Sequence, residues 1–388
     1  MQPTIAYLAL GKVRIKEPGK NARLLESPFA STIHDRSVRS QQRHSWKSSD
    51  GGGVLSGPML WGGNSGTGPA PVLITSICRG TEDKQLVYSL TSGSLCALLQ
   101  AENLGEEEKR IWNDNRDHVI HVDTCPASGN HCFSVQHENV TANIGVKLKD
   151  ESGISEVTEG DSMDTAPRWV PGDERRIVYQ SAGVGRNQDG DFGGFGPFGI
   201  ELLNVDTAEL RTLAHSRNFD FLAPRMTENG DLHYIRRPRG EHDRIRPFNV
   251  IKDFFLLPFR ILFAIFQWMN IFSQMYTGKK LSTAGGPKKA GPDMKQMRIW
   301  GNVIAAQRND EDQPAELVPS SWQLVHRKPN GQESTLAKAV LSYDIAPDGT
   351  IIYSTGSKIF SLGPTGKKET ILSGEMIEQV VVIPEAGG

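Results

Sequence analysis

Histidines and cysteines crowd one short region of the sequence: His118, His121, Cys125, His131, Cys132 and His137. Imidazole nitrogens and thiolates are the ligands that Zn²⁺ prefers, in tetrahedral sets of four. The spacing here matches no familiar zinc pattern. Adjacent residues of a strand also point to opposite faces of a sheet, so His131 and Cys132 are badly placed to share one ion. We expect ordinary strand residues and no metal site in this region.

A second stretch, RNQDGDFGG, has Asn187, Asp189 and Asp191 at alternating positions, as calcium-binding loops do. Such a loop needs glycine at its sixth position and glutamate at its twelfth, where this sequence has Phe192 and Phe198. We interpret the stretch as a flexible glycine-rich loop without calcium.

No cofactor is expected either. The stretch GGNSGTGP at residues 62–69 is rich in glycine but lacks the Gly-Lys-Ser/Thr ending of a phosphate-binding loop. No Gly-x-Ser-x-Gly nucleophile elbow occurs in the sequence. The residues therefore carry no familiar catalytic motif.

Composition narrows the class of protein. The chain has 388 residues and a formal net charge of -2, so it has no general attraction for nucleic acid and we expect no such partner. Its four cysteines form no Cys-x-x-Cys pair and are too few for a disulfide framework, which is typical of buried thiols in a cytosolic protein. The N-terminal stretch MQPTIAYLALGKVRIK has no basic residue ahead of its apolar run, so we expect no export and a cytoplasmic location.

Turn residues followed by alternating apolar residues recur along the chain. The pattern is clearest in DTAPRWVPGDERRIVYQS, residues 164–181, and in SYDIAPDGTIIYSTGSKIFSLGPTGKKETIL, residues 342–372. Gly and Asp tolerate the backbone angles of tight turns, and β-branched and aromatic residues pack well on sheets, so both stretches predict hairpins. Turn glycines fall at Gly129 and, about 43 residues on, at Gly172, near the period of a four-stranded propeller blade. The pattern predicts an all-β propeller.

These residues resemble the TolB-like, WD40-related β-propeller repeat of the PD40 type. That repeat has a short strand, then Pro-x-Trp/Phe-Ser-Pro-Asp-Gly, then an apolar strand. Pro167, Trp169, Pro171 and Gly172 match the pattern, and Ala-Pro-Asp-Gly at residues 346–349 matches its second half. The resemblance covers the chain outside its insertions and implies the propeller fold, but one fold serves many functions, so no function follows from it.

We expect about six blades, closed by pairing of the terminal strands. QVVVIP at 379–384 has no strand after it and TIAYLAL at 4–10 has none before it, so pairing them removes two exposed sheet edges. A pair of β-sandwiches joined by a linker is the alternative, which the regular turn spacing disfavours. Five or seven blades stay open, because the long fifth unit has room for an extra one. The other blades are predicted near residues 72–120, 121–163, 164–220, 221–340 and 341–377.

Two segments fall outside the predicted blades. Residues 27–71 are polar, rich in Ser and Gly and aperiodic, which predicts a long flexible loop. Residues 236–297 contain IKDFFLLPFRILFAIFQWMNIFSQMY between basic flanks. The predicted domains are therefore propeller over 1–235 and 298–388, with a membrane-associating insertion at 236–297.

The apolar stretch approaches the length of a membrane span, which takes about 20 residues. Three features favour a helix lying on the membrane instead. Polar residues recur about every seven positions, giving a narrow polar stripe on a helix; Pro258 breaks or kinks the helix near its start; and both flanks are basic, against the positive-inside tendency of a single span. We predict an amphipathic helix at 248–278 that attaches the protein peripherally to a membrane.

Two sets of residues are assigned to this contact. Two other interpretations stay open: the helix docks into a second protein or a second copy, or it packs on its own propeller. The residues expected to bind anionic lipid are Arg244, Arg246, Lys279, Lys280, Lys288 and Lys289. The residues expected to contact the membrane interior are Phe254, Phe255, Leu256, Leu257, Phe259, Ile261, Leu262, Phe263, Ile265, Phe266, Trp268, Met269, Ile271, Phe272, Met275 and Tyr276.

The sequence favours a non-catalytic scaffold that presents its loops to an unidentified protein partner at a membrane surface. One alternative is an enzyme, a hydrolase or lyase, with its active site in the propeller channel. Asp164, Asp344 and His233 are of the right type for it, although an aspartate ahead of a strand more often bonds a nearby backbone or turn. The other alternative is a soluble scaffold whose apolar helix docks into a partner.

Overall fold

Six four-stranded sheets surround a common axis in this computed structural model. The sheets belong to one unit of the chain, Met1–Pro238 with Met297–Gly388. Of the second unit, Arg239–Gln296, only the two end residues are described. The structure describes residues 2–45, 71–115, 118–137, 140–239, 296–299, 302–305, 317–374 and 376–384.

Each sheet is one antiparallel blade. In blades 2–6 the strands follow the order of the chain from the axis outward, whereas blade 1 has the last strand of the chain innermost. The all-β prediction of about six blades is therefore confirmed. From the innermost strand, blade 1 is β28 (Ile377–Ile383), β1 (Thr4–Ala9), β2 (Lys12–Lys16) and β3 (Arg23–Leu24); blade 2 is β4 (Leu73–Arg79), β5 (Leu86–Ser92), β6 (Leu95–Glu102) and β7 (Glu107–Asp114); blade 3 is β8 (His118–Thr124), β9 (His131–Gln136), β10 (Ala142–Lys147) and β11 (Ser155–Glu156). Blade 4 is β12 (Thr165–Val170), β13 (Asp173–Ser181), β16 (Gly199–Asn204) and β17 (Glu209–Ala214); blade 5 is β18 (Phe219–Met226), β19 (Leu232–Pro238), β22 (Gln323–Arg327) and β23 (Glu333–Lys338); blade 6 is β24 (Ser342–Ile345), β25 (Ile351–Ser354), β26 (Lys358–Leu362) and β27 (Lys368–Ser373). The other elements are helix α1 (Pro28–Ser45) and two hairpins, β14 (Val184–Arg186) with β15 (Phe192–Phe195) and β20 (Gln296–Ile299) with β21 (Asn302–Ala305).

The terminal strands close the ring as the sequence predicts. β28 pairs with β1 from Thr4 opposite Ile383 to Ala9 opposite Ile377. The last strand of the chain is thus the innermost strand of the blade that the first residues begin. Closure gives each terminal strand a partner and leaves no open sheet edge between the first and last blades.

Apolar side chains fill the spaces between neighbouring blades. All four cysteines are buried free thiols in these clusters, Cys78 and Cys96 between blades 2 and 3 and Cys125 and Cys132 between blades 3 and 4. Burial raises the pKa of the Cys78 thiol to about 12. A thiol with so high a pKa is a poor nucleophile, so Cys78 serves packing.

Side chains also bond backbone groups across the blade junctions. The Gln379 amide bonds both the N–H and the carbonyl of Ile77, at 3.0 and 2.7 Å, and so joins blade 1 to blade 2. The side-chain oxygen of Gln180, in blade 4, accepts a hydrogen bond from the N–H of Ala223, in blade 5, at 2.7 Å. These bonds satisfy strand-edge groups that the blades leave unpaired at the junction.

Residues 28–45 form α1, so the prediction of a flexible loop over residues 27–71 is wrong for this part. The Ser27 hydroxyl oxygen accepts the N–H of Ala30 at 3.1 Å, which caps the first turn. Glu108 of β7 accepts the N–H of Phe29 at 2.9 Å and attaches the helix start to blade 2. The helix thus depends on a cap and on a distant carboxylate, neither of which an apolar periodicity reveals.

Replacing that carboxylate, Glu108→Gln, is expected to loosen α1. Glu108 also accepts hydrogen bonds from the hydroxyls of Ser27 and Tyr88. Glutamine turns one acceptor into a donor, so at least one buried group loses its partner, at about 1–3 kcal/mol. Hydrogen exchange over residues 28–45 should rise several-fold, whereas Glu106→Gln, at an exposed position, should leave it unchanged. Equal exchange in both variants would contradict this attachment.

Candidate functional site

The innermost strands of the six blades run in one direction, and their C-terminal ends meet at one mouth of the channel. Five charged side chains from five different blades converge there. Blades 2 and 6 are not neighbours, yet Arg79 and Asp344 approach to 3.5 Å, so the side chains reach across the channel. The five residues, hereafter the channel cluster, are Arg79 on β4, Asp123 on β8, Arg168 on β12, Arg225 on β18 and Asp344 on β24.

The cluster is a network of ion pairs. Arg168 Nη1 lies 2.8 Å from Asp123 Oδ1, and Arg225 Nη1 lies 2.9 Å from Asp344 Oδ1. Both pairs are largely buried, and the Asp344 side chain is only 1% exposed. With Arg79 as well, the mouth holds three guanidinium groups against two carboxylates.

The two carboxylates also accept backbone N–H groups. Asp123 Oδ2 accepts the N–H of Trp169 at 2.9 Å. Asp344 Oδ2 accepts a hydrogen bond from the N–H of Val382 at 2.8 Å, and Asp344 Oδ1 accepts one from the N–H of Ile345 at 2.8 Å. Asp123 thereby joins blade 3 to blade 4, and Asp344 joins blade 6 to blade 1. Each acid has a structural role at a junction in addition to its ion pair.

The ionised forms of Asp344 and Arg168 are stabilised by the opposite charges around them. Burial opposes ionisation of Asp344, but the charges of Arg225 and Arg79 outweigh it and hold the pKa of this carboxyl below its usual range. Burial likewise opposes the charge of Arg168, and Asp123 and Asp344 outweigh it and raise the pKa of the guanidinium. A carboxylate with a lowered pKa and several donors is a weak general base.

A repeated Ala-Pro-Arg tripeptide places two of the arginines. Residues 166–168 and 223–225 each contain a β-bulge, where Ala166 and Ala223 have φ of 52° and 50°. A bulge redirects the next side chain, and proline is tolerated at a bulge or on a strand edge because no ladder bond is needed from its nitrogen. The repeat is the sequence signal that identifies Arg168 and Arg225. Arg79 and Asp123 have no comparable local signal.

Of the three residues proposed for an enzyme in the channel, the structure brings only Asp344 into the cluster. Asp164 is buried just before β12. Its carboxylate accepts hydrogen bonds from the hydroxyls of Ser181 at 2.6 Å and Thr158 at 2.8 Å. His233 lies on β19, the second strand of its blade, and stacks on His326 with ring centroids 4.6 Å apart. The three side chains therefore do not meet at one point.

The residues considered for a calcium-binding loop form a hairpin turn. Asn187 lies in the turn between β14 and β15, where its Oδ1 accepts the N–H groups of Asp189 and Asp191. This hairpin stands where the sequence predicts a flexible loop, so that prediction is wrong. In the ranges described, no three His, Cys, Asp or Glu side chains are grouped to hold a metal ion.

The predicted membrane-contacting residues, 254–276, and the six predicted lipid-binding basic residues lie outside the described residues. The start of the predicted insertion is described: β19 continues to Pro238, and Arg237 Nη2 lies 2.7 Å from Asp220 Oδ2 within blade 5. The remaining boundaries stay a prediction. Within the part described, no helix combines the length and apolar character needed to cross a membrane.

Stability is expected to fall as the pH is lowered from 7 to 4. Burial lowers the pKa of His121 to about 3 and those of His131 and His233 to about 4. The unfolded chain takes up a proton at each histidine near pH 6.5, whereas the folded chain does not until pH 3–4. The contribution of these three histidines to the free energy of unfolding is therefore complete above pH 6.5. Below that pH the free energy of unfolding falls by up to roughly 4 kcal/mol per pH unit.

Urea unfolding between pH 7 and 4 measures this dependence. His121→Gln should reduce the slope of the free energy of unfolding against pH by about one third, because it removes one of the three histidines that take up a proton on unfolding. His215→Gln, at an exposed position, should leave the slope intact. Equal stability at pH 7 and pH 5 would contradict the assignment.

Comparison with known proteins supports the fold. No protein-family model and no curated protein matches the sequence. The structure is similar to TolB from Acinetobacter baumannii, with 11% identity and a TM-score of 0.53 over 99% of this chain and 67% of that one. It is also similar to a structure of a nidogen/laminin complex, with 8% identity and a TM-score of 0.50 over 99% of both chains. The tricorn protease, at 10% identity, has a TM-score of 0.48 over 95% of this chain and 33% of its own.

Identities this low show the fold alone. The chain has a six-bladed β-propeller fold, as its repeats predict, and this fold is similar to that of TolB. Propellers serve many functions, so its task has to be argued from its own residues.

Proposed function

We propose that this propeller is a non-catalytic platform that binds a partner protein, and that residues 248–278 attach it peripherally to a membrane. The observation that carries the proposal is the mutual pairing of the channel cluster. Asp123 bonds Arg168 and a backbone N–H, and Asp344 bonds two arginines and two backbone N–H groups. These charges join blades to one another around the channel.

Proton transfer needs a different arrangement. A general base has to be free to take a proton, with a pKa near the working pH. The pKa of Asp344 is lowered instead, and a proton on it would leave Arg225 beside a neutral acid in a buried site. The network therefore favours a structural role for the channel over catalysis.

The two faces of the propeller support different tasks. Pro238 pairs with Phe219, the first residue of β18, so the chain leaves blade 5 at the face where the innermost strands begin. The channel cluster lies at the opposite face, where those strands end. The cluster face, with its short β-turns, is the face that we assign to a partner.

Membrane attachment is supported by the sequence of 248–278 and its flanks. The stretch is apolar over more than five helical turns, has a polar stripe, and is followed by Lys279 and Lys280. Basic residues beside an anionic surface each contribute on the order of 1 kcal/mol. The insertion would hold the platform where its partner is found.

Site-specific photo-crosslinking tests the binding role and the face together. Asn229, in the turn of blade 5 on the cluster face, and Asn218, on the opposite face of the same blade, are both exposed and make a matched pair. A photoreactive residue at Asn229 should give one crosslinked product of discrete mass in cells that make the protein, and one at Asn218 should not. Products from Asn218 alone would contradict the assigned face, and none from either would contradict the binding role.

A further inference from the structure

A polar cleft of about 530 Å³ lies between blades 2 and 3, on the face that carries the channel cluster. Its blade 3 wall is a row across three strands: Thr124 pairs with His131, and His131 pairs with Lys147. Directly paired residues project from the same face of a sheet, so the three side chains line the cleft together. The channel cluster uses none of them.

Lys147 is the unusual member of this row. It is 3% exposed although it lines the cleft. Its ammonium group makes one hydrogen bond, to the carbonyl of Leu148 at 3.1 Å, and no ion pair with any described residue. An ammonium has three donors, and burying it without a counter-charge is strongly unfavourable. The protein leaves room for an acceptor at this position.

His131 provides a second donor beside it. Burial lowers the pKa of His131 to about 4, so the ring is neutral near pH 7. Its Nδ1 lies 2.9 Å from the hydroxyl oxygen of Thr124. When that hydroxyl donates to Nδ1, the proton is on Nε2, which has no hydrogen bond to any described residue. Lys147 and His131 together suit one carboxylate, which accepts at two oxygens.

The blade 2 wall is mainly acidic, and its one lysine, Lys109, pairs with Glu102 at 3.3 Å. Glu82, Asp83 and Glu107 line the cleft as exposed carboxylates, without an ion pair in the described part of the chain. Gln85 fixes this wall, because its side-chain oxygen accepts the N–H of Thr81 at 2.7 Å. Donors on one wall and free carboxylates on the other match a ligand with one charge of each sign.

We propose that the cleft binds a small zwitterion of the α-amino-acid class, with its carboxylate on Lys147 and His131 and its ammonium group toward the carboxylates of blade 2. A volume of about 530 Å³ is within the range of small-molecule sites. The proposal does not depend on a protein partner or on membrane attachment, so failure of either leaves it standing.

Thermal unfolding and calorimetry with defined probes test the site. The L-amino acids are tested one at a time at millimolar concentration. At least one of them should raise the melting temperature of the protein by about 2 °C or more. Acetate and methylamine, which carry one charge each, should have less effect at the same concentration. Stabilisation by acetate or inorganic phosphate equal to that by the best amino acid would overturn the zwitterion assignment, as would no effect of any amino acid.

Lys147→Met gives a second readout that requires no ligand. Removing an unpaired buried charge should raise the melting temperature of the ligand-free protein, and it should weaken amino-acid binding at least about tenfold. Lys12→Met, which removes an exposed lysine of blade 1, should change neither quantity. A less stable Lys147→Met protein would show that the ammonium is already satisfied, and unchanged binding would show that it does not touch the ligand; either result overturns the site.

Discussion

Deleting residues 377–388, which removes β28, is expected to abolish cooperative folding of the propeller. β28 is the innermost strand of blade 1 and the partner of β1 over its whole length. Without it, β1 exposes an unpaired edge and the ring of innermost strands is open. Asp344 also loses the N–H of Val382, and Gln379 no longer joins blade 1 to blade 2.

The expected loss is comparable with the whole stability of a typical domain. Burial of one branched apolar side chain contributes about 2 kcal/mol, so five contribute about 10 kcal/mol, against roughly 5–15 kcal/mol of net stability. The fully buried side chains of β28 are Ile377, Val380, Val381, Val382 and Ile383.

Circular dichroism during heating and analytical gel filtration measure the result. The truncated protein should aggregate or show no sharp transition. Removing only residues 385–388 keeps β28 and should preserve the transition. A truncated protein that is monodisperse and unfolds cooperatively would show that closure by β28 is not required.

The second large effect is expected for Asp344→Asn, which should lower the free energy of unfolding by about 3 kcal/mol. The substitution keeps the size of the side chain but removes the charge that faces Arg225 and Arg79. Breaking a buried pair leaves the partner charge uncompensated, which costs about 3–5 kcal/mol. We expect the lower end of this range, because both arginines keep some contact with water: the Arg225 side chain is 15% exposed and the Arg79 side chain is 29% exposed.

Urea unfolding at pH 7 measures this change. Asp150→Asn, at an exposed turn, is the control and should stay within about 0.5 kcal/mol of the unsubstituted protein. Adding Arg225→Met to Asp344→Asn should recover part of the loss, because the second change removes the stranded charge. An Asp344→Asn protein as stable as the control would refute the structural role of the channel cluster.

Local features of the fold are predictable from the sequence. Gly129 and Gly172 have φ of 76° and 75°, a region in which glycine is favoured, and both lie in turns that the repeats predict. Alternation of apolar residues gives the strands, and unpaired terminal strands give the closure. The turn and strand signals each extend over a few residues.

The channel cluster and α1 depend on contacts between distant residues. Arg79 and Asp344 are separated by 265 positions, so their pairing has no local signal. The start of α1 is attached by Glu108, 79 positions after Phe29. The tripeptide Ala-Pro-Arg is visible in the sequence, but its effect depends on a bulge that forms only against β13 or β19. The blade 2–3 cleft likewise requires two blades to be placed side by side.

Co-sedimentation with lipid vesicles tests the central claim, a propeller platform held at a membrane by its insertion. The full chain is compared with a chain lacking residues 248–278, using vesicles with and without anionic lipid at low and high salt. Equal urea midpoints for the two proteins establish that the deletion leaves the propeller intact. We predict that only the full chain pellets, more strongly with anionic lipid and at low salt. A full chain that stays in the supernatant as a monodisperse species would contradict the account and direct attention to a protein partner for the insertion.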